Sequence, residues 1–252
     1  LSDYIEFKPL SDKVAYINSK SMGIFTPQLT QEYNAFVQKT FAKIKAKKYP
    51  HLIIDLRENG GGRGQIAELL LDYIAKKPYR QSAGSVRRVS QQFKDFIQLM
   101  PAQMRDQALK QGGLTEYPKL PNGTNMSSFS DPQPLKKIDN RFGGKVWCLI
   151  GPGTFSAAMM MANAIEDYDL GTLVGEPTGG IPNELSDVLP CKTPNAKISF
   201  AVPSVLFTRA NGDASNTNRV LPDVTIRPSQ QGNAQNKDAL IEYVLKQTTK
   251  NK

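Results

Sequence analysis

Ser156 stands between a glycine-rich turn and a helix-like run in GPGTFSAA, residues 151–158, directly after an apolar segment at 146–150. A serine that opens a helix lies beside unpaired backbone N–H groups and the positive end of the helix dipole. Negative charge is favoured at such a place, so the position suits two roles. It could cap the helix, or it could be a nucleophile whose attack on a carbonyl creates an oxyanion. The local pattern leaves both open. It is not the Gly-x-Ser-x-Gly elbow of α/β-hydrolases, because Thr154 stands where the first glycine would be.

A second glycine turn, Asn59-Gly60-Gly61-Gly62, follows another apolar run, LIIDL at 52–56. Both runs have the length and continuity of buried parallel strands, whose C-terminal ends are where sites form in open α/β layers. If the two turns face one another, the N–H of Gly60 or Gly61 and the N–H of Ala157 make a pair of donors for an oxyanion beside Ser156. A serine nucleophile also needs a base. The one histidine, His51, opens the strand whose far end carries the glycine turn. At roughly 3.3 Å per residue it lies about 20 Å from Gly60, well beyond the hydrogen-bond reach of a general base.

The elements that would hold these groups are legible as strand, glycine turn, helix. Strands are predicted at 14–18, 52–56, 145–150 and 172–175, with further β-like pieces at 198–202 and 205–207. Leu29, Tyr33, Phe36, Val37, Phe41 and Ile44 fall at helical spacing, so 26–48 is predicted as one amphipathic helix with Pro27 in its first turn. Helices are also expected at 66–76, 91–100, 156–167 and 237–246. Residues 78–141 break the rhythm with Gly, Asn, Ser and Pro and read as an insertion, a lid or binding loop in which Arg87, Arg88 and Lys94 could meet a terminal carboxylate. The fold class is α/β, in a single core domain.

The 252 residues are 39% hydrophobic, enough for a substantial core. The formal charge of +9 is spread among acids and apolar residues. It gives no nucleic-acid module, and the run KIKAKK at 43–48 reads as a solvated helix face. The longest uncharged apolar stretch is too short for a membrane span. Cys148 and Cys191 lack metal-ligand spacing, and the Gly60–Gly62 turn lacks the Lys and Ser/Thr of a phosphate loop, so no metal or organic cofactor is implied.

Four stretches, DLRENGGG at 55–62, GTFSAA at 153–158, TLVGEPTGG at 172–180 and LPDV at 221–224, stand in the order and approximate spacing of the C-terminal processing, or tail-specific, serine peptidases, which this chain resembles over residues 14–228. The resemblance implies a ClpP/crotonase-like core of stacked β–β–α units and cleavage of polypeptide or peptide substrates through an acyl-enzyme. Ser156 then matches the nucleophile, Ala157 one oxyanion donor, and Gly60 or Gly61 the other. Where the tail-specific branch carries a lysine base, 25 residues beyond the serine, this chain has Ile181. The stretch from Glu176 to Asn183 is similar instead to the tricorn-like branch, with a histidine base and an orienting acid, and makes Glu176 and Asn183 supporting residues. Asp213, 57 residues after Ser156, matches that acid, with Glu184 as the alternative. The histidine is expected in an N-terminal domain preceding Leu1. A non-catalytic relative that binds peptides or small apolar ligands in the same cleft is the competing expectation. Family resemblance implies an exported protein, in the cell envelope or secreted.

Overall fold

The structure is a computed structural model that describes residues 1–227 and 238–249. Position 237 of the expected last helix and position 228 of the matched stretch lie outside the described residues. In chain order the elements are β1 (Ile5–Ser11), β2 (Val14–Ser19), α1 (Pro27–Ala46), β3 (His51–Asp55), α2 (Gly64–Ile74), β4 (Gly84–Arg88), α3 (Gln91–Gln98), α4 (Ala102–Gln111) and β5 (Asn125–Phe129). They continue with β6 (Lys145–Ile150), α5 (Ala157–Asp167), β7 (Thr172–Gly175), β8 (Leu185–Lys192), β9 (Ser199–Thr208), β10 (Val224–Thr225) and α6 (Ala239–Thr249). They form two compact units, one of Leu1–Ala83, Asp131–Pro182 and the described residues from Arg209 onward, the other of Gly84–Ser130 and Asn183–Thr208.

The first unit is built on a six-stranded sheet in the order β1-β2-β3-β6-β7-β10, parallel except for β1. Parallel strands must be covered on both faces, which is why β3 and β6 read as continuous apolar runs. On one face Tyr16, Ile53, Trp147, Leu149 and Val174 pack with Leu240 and Val244 of α6. Tyr33, Val37, Phe41 and Ile44 are the buried stripe of α1, and Phe41 stacks on Tyr73 of α2 at 4.2 Å between ring centroids. Register places Asp55 opposite both Asn18 and Leu149, so β2, β3 and β6 end together. Just past that edge Arg57 bridges the carboxylates of Asp55 and Asp238, each at 2.6 Å, and Asp238 accepts the N–H groups of Leu240 and Ile241 at the start of α6. The C-terminal helix is thereby tied to the strand that leads to the glycine turn.

The second unit is an antiparallel sheet, β5-β4-β9-β8, with α3 and α4. The expected insertion at 78–141 supplies only part of it. Residues 198–207, read from sequence as two β pieces, are one strand, β9, which pairs with β4 more than a hundred residues earlier in the chain. Such a pairing leaves no local signal. Val89, Ile97, Leu109 and Tyr117 form its core. Arg87 is committed to Asp187 and Ser204 and lies 4.9 Å from the Phe93 ring, while Lys94 donates to the Leu120 carbonyl at 2.5 Å.

Burial and the nearby Asp187 push the Glu184 carboxyl up to about 7. Its ordinary value is about 4.3. Between those two values the folded state therefore holds a proton that the unfolded chain has lost, and stability falls as pH rises through the window. Glu184→Gln is expected to raise the melting temperature at pH 8 and to change it little at pH 4. A wild-type to variant difference that is flat from pH 4 to 8 would contradict this.

Candidate active site

The loop from β6 to α5 is fixed by Thr154, which is fully buried. Its hydroxyl donates to the Leu56 carbonyl at 2.8 Å and accepts the Gly151 N–H at 3.0 Å. One residue on, the Phe155 N–H donates to the Asn59 carbonyl at 3.0 Å. The two loops foreseen to face one another are thus stitched together by main-chain and threonine hydrogen bonds. Gly153 passes so close to the Arg57 carbonyl that a Cβ there would collide with it.

Ser156 follows with φ 49° and ψ −125°, a conformation that glycine adopts freely and serine rarely. It occupies the N-cap position of α5, yet its side chain makes no capping hydrogen bond. Of the two roles open to it, the cap is not the one its geometry serves. Strain of this kind persists only where the surroundings impose it, and it gathers at functional sites.

Gly61, at φ +98°, packs directly on this residue: a Cβ built on it would lie 2.7 Å from Ser156 Cβ, 2.8 Å from Phe155 O and 2.9 Å from Ala157 N. Its N–H is already used, donating to Asn59 Oδ1 at 2.9 Å. Gly60 differs on both counts. A Cβ on Gly60 would meet nothing within 4 Å, and among the described residues neither its N–H nor that of Ala157 has an acceptor. Two donors are therefore uncommitted around the contact between Gly61 and Ser156, one on Gly60, the residue before Gly61, and one on Ala157, the residue after Ser156 at the positive end of α5.

A third segment braces the site. The Gly179 N–H donates to Thr154 O at 3.0 Å, and a Cβ on Gly180 would sit 2.9 Å from the Phe155 ring. Thr178, fully buried, exchanges hydrogen bonds with Val220, its N–H to the Val220 carbonyl and the Val220 N–H to its hydroxyl. The Leu173 N–H donates to Asp223 at 2.8 Å, which gives LPDV a structural purpose. Glu176 contributes its main chain, donating to Ile150 O at 3.1 Å, while its carboxylate lies 3.8 Å from Arg227.

The remaining candidates are not joined to Ser156 in this way. Among the described residues no side chain is hydrogen-bonded to the Ser156 hydroxyl. His51 pairs with Val14 and Lys145 at the opposite end of β3, and burial with Lys145 and Lys13 holds its pKa low. Asp213 is exposed in a turn, where its Oδ1 accepts the N–H and hydroxyl of Ser215 at 3.0 and 2.6 Å. Asn183 and Glu184 belong to the second unit. Cys148 and Cys191 are both free thiols. Sequence reasoning did not assign Asn59 and Thr154 any task, although each sits within a quoted glycine motif. The available signal was a small polar residue two places before the key glycine or serine.

The profile of peptidase family S41 matches residues 13–226. A search of curated proteins gave no match. Among solved structures, the chain is similar to a candidate peptidase from Parabacteroides merdae, at 17% identity and TM-score 0.60, covering 96% of this chain and 63% of that one. It is similar to a candidate S41 protease from Bacteroides fragilis at 18% identity and TM-score 0.55, over 97% of this chain and 57% of the other. The photosystem II D1 C-terminal processing protease aligns at 16% identity and TM-score 0.51, over 89% of this chain and 48% of its own. These likenesses bear on fold. The chain spans less than two thirds of each of these three proteins.

Proposed function

Because the chain belongs to peptidase family S41, we propose that it is the core of a serine peptidase that cleaves polypeptide substrates through an acyl-enzyme on Ser156. The observation that carries this reading is the strained, uncapped serine beside two uncommitted N–H groups. Attack by Ser156 Oγ on a peptide carbonyl turns that oxygen into an oxyanion, which the N–H groups of Gly60 and Ala157 receive. The fixed donors cost no reorganisation as charge develops. Gly61 serves as the spacer that brings the turn against the nucleophile rather than as a donor, since Asn59 occupies its N–H.

The base that takes the Ser156 proton comes from outside these residues, in a flanking segment or a second subunit. Among the described residues no basic side chain is hydrogen-bonded to the Ser156 hydroxyl, which supports this, as does the greater length of the solved relatives. A histidine base with Asp213 as its orienting acid is the arrangement the sequence favours, and location in the cell envelope or outside the cell is proposed from family resemblance alone. Among the described residues no helix is long and apolar enough to cross a membrane. The same lack of a base favours one other reading, a non-catalytic relative that binds peptides or small apolar ligands in the cleft.

Intact-mass labelling with a fluorophosphonate separates the two. With the flanking segment present, one adduct is expected on wild type and none on Ser156→Ala, whereas residues 1–252 alone label far more slowly. Equal labelling of residues 1–252 would put the base inside them. No adduct in either form would favour the binding protein.

A further inference from the structure

Resting on the peptidase reading, we infer that Asn59 is the positioning residue that creates the oxyanion site, by consuming one donor of the glycine turn and presenting the next. The residue is fully buried, and each of its polar groups is spent. Its Nδ2 donates to Ser19 O at 2.7 Å and Ser19 Oγ at 3.2 Å, and its Oδ1 accepts the Gly61 N–H at 2.9 Å. Its own N–H donates to Leu56 O, and its carbonyl accepts the Phe155 N–H, both at 3.0 Å.

Those bonds join three elements. The Ser19 contacts hold the turn to the end of β2, the Phe155 contact holds it to the loop that carries Ser156, and the Gly61 contact folds the turn back on itself. With the Gly61 N–H bound to Asn59, the N–H of Gly60, an exposed residue, is the donor of the turn left without an acceptor among the described residues, and the Phe155 bond sets its separation from Ala157. Only a side chain with a donor on one side and an acceptor on the other can do this. Aspartate keeps the acceptor but sets a carboxylate against the Ser19 carbonyl; leucine keeps the shape and neither bond. A turn that swings by even a fraction of an ångström loses the oxyanion geometry while the rest of the sheet stays intact.

The test uses the polypeptide with its flanking segment, a reporter peptide, and the variants Asn59→Asp and Asn59→Leu. In both, kcat is expected to fall about a hundredfold, the lower range for losing one oxyanion donor, with KM within threefold. Exchange of the Gly61 amide with deuterium should accelerate in Asn59→Leu. A kcat within threefold of wild type in both variants would overturn the inference. So would a kcat loss that tracks thermal unfolding at the assay temperature, because that is what a merely structural residue gives. If wild type itself shows no turnover, the peptidase reading fails separately. The Gly61 amide then decides the positioning claim alone, with unchanged exchange in Asn59→Leu overturning it and faster exchange in a folded protein sustaining it.

Discussion

Ser156→Gly is expected to abolish turnover and to make the protein more stable. The first half follows from chemistry: removing the nucleophile of a serine peptidase costs about a millionfold in kcat. The second half follows from φ 49° and ψ −125°, which a serine holds only under strain. Strain at such a residue is worth about 1–3 kcal/mol, and glycine relieves it. Against that, glycine gives the unfolded chain more freedom, a loss of about 0.5–1 kcal/mol. The net gain is on the order of 1 kcal/mol, or about 2–4 °C in melting temperature for a chain of this size. Ser156→Ala removes the same hydroxyl but keeps a Cβ, so it is inactive without the gain in stability. Turnover measured with the base-supplying segment present, together with thermal unfolding of both variants, checks the pair. If Ser156→Gly melts no higher than Ser156→Ala, the serine is not strained and the argument from its backbone fails.

Gly61→Ala and Gly60→Ala should both lose activity, for opposite reasons. At Gly61 a methyl group would be driven into Ser156, Phe155 and Ala157 at 2.7–2.9 Å, on a backbone at φ +98° that disfavours any side chain. Two loops held by buried hydrogen bonds cannot part cheaply. Overpacking and backbone strain together cost about 2–4 kcal/mol, and kcat falls at least a hundredfold as the donors move from the nucleophile. At Gly60 there is open space and no positive φ, so the fold is unaffected within about 0.5 kcal/mol. On the peptidase reading the added methyl, standing in open space next to that N–H, is expected to crowd an approaching substrate carbonyl. Activity drops with melting temperature unchanged. Circular dichroism melts with kcat for the two variants separate the cases, and an active Gly60→Ala would remove Gly60 from the site.

The contrast between these neighbours was not legible in the sequence, which offered Gly60 or Gly61 without choosing. What was legible followed from short-range rules. The strand at 145–150 and the helix after Ser156 came from apolar runs and periodicity, and the meeting of two glycine turns followed from both leaving parallel strands at the same edge. Distinguishing Gly60 from Gly61 required knowing that the Asn59 side chain turns back to take the Gly61 N–H, a matter of local conformation rather than residue type. β1 and β8 were missed because Pro9 and Pro190 lie inside them, and proline argues against strand unless the strand is at an edge, as both of these are. The second unit was missed for a different reason, since its sheet joins β4 to a strand far along the chain.

The hydrogen bond from Thr154 to Leu56 spans 98 residues of sequence, and the one from Phe155 to Asn59 a similar length. Contacts so distant in the chain form only after long loops have closed, which makes them late events in folding. Until they form, Ser156 is an ordinary hydroxyl on a flexible turn, with no imposed φ and no donors beside it. On the proposed peptidase reading, the nascent chain cannot yet receive an oxyanion beside Ser156, and the oxyanion site is assembled only once the surrounding backbone is itself folded and buried.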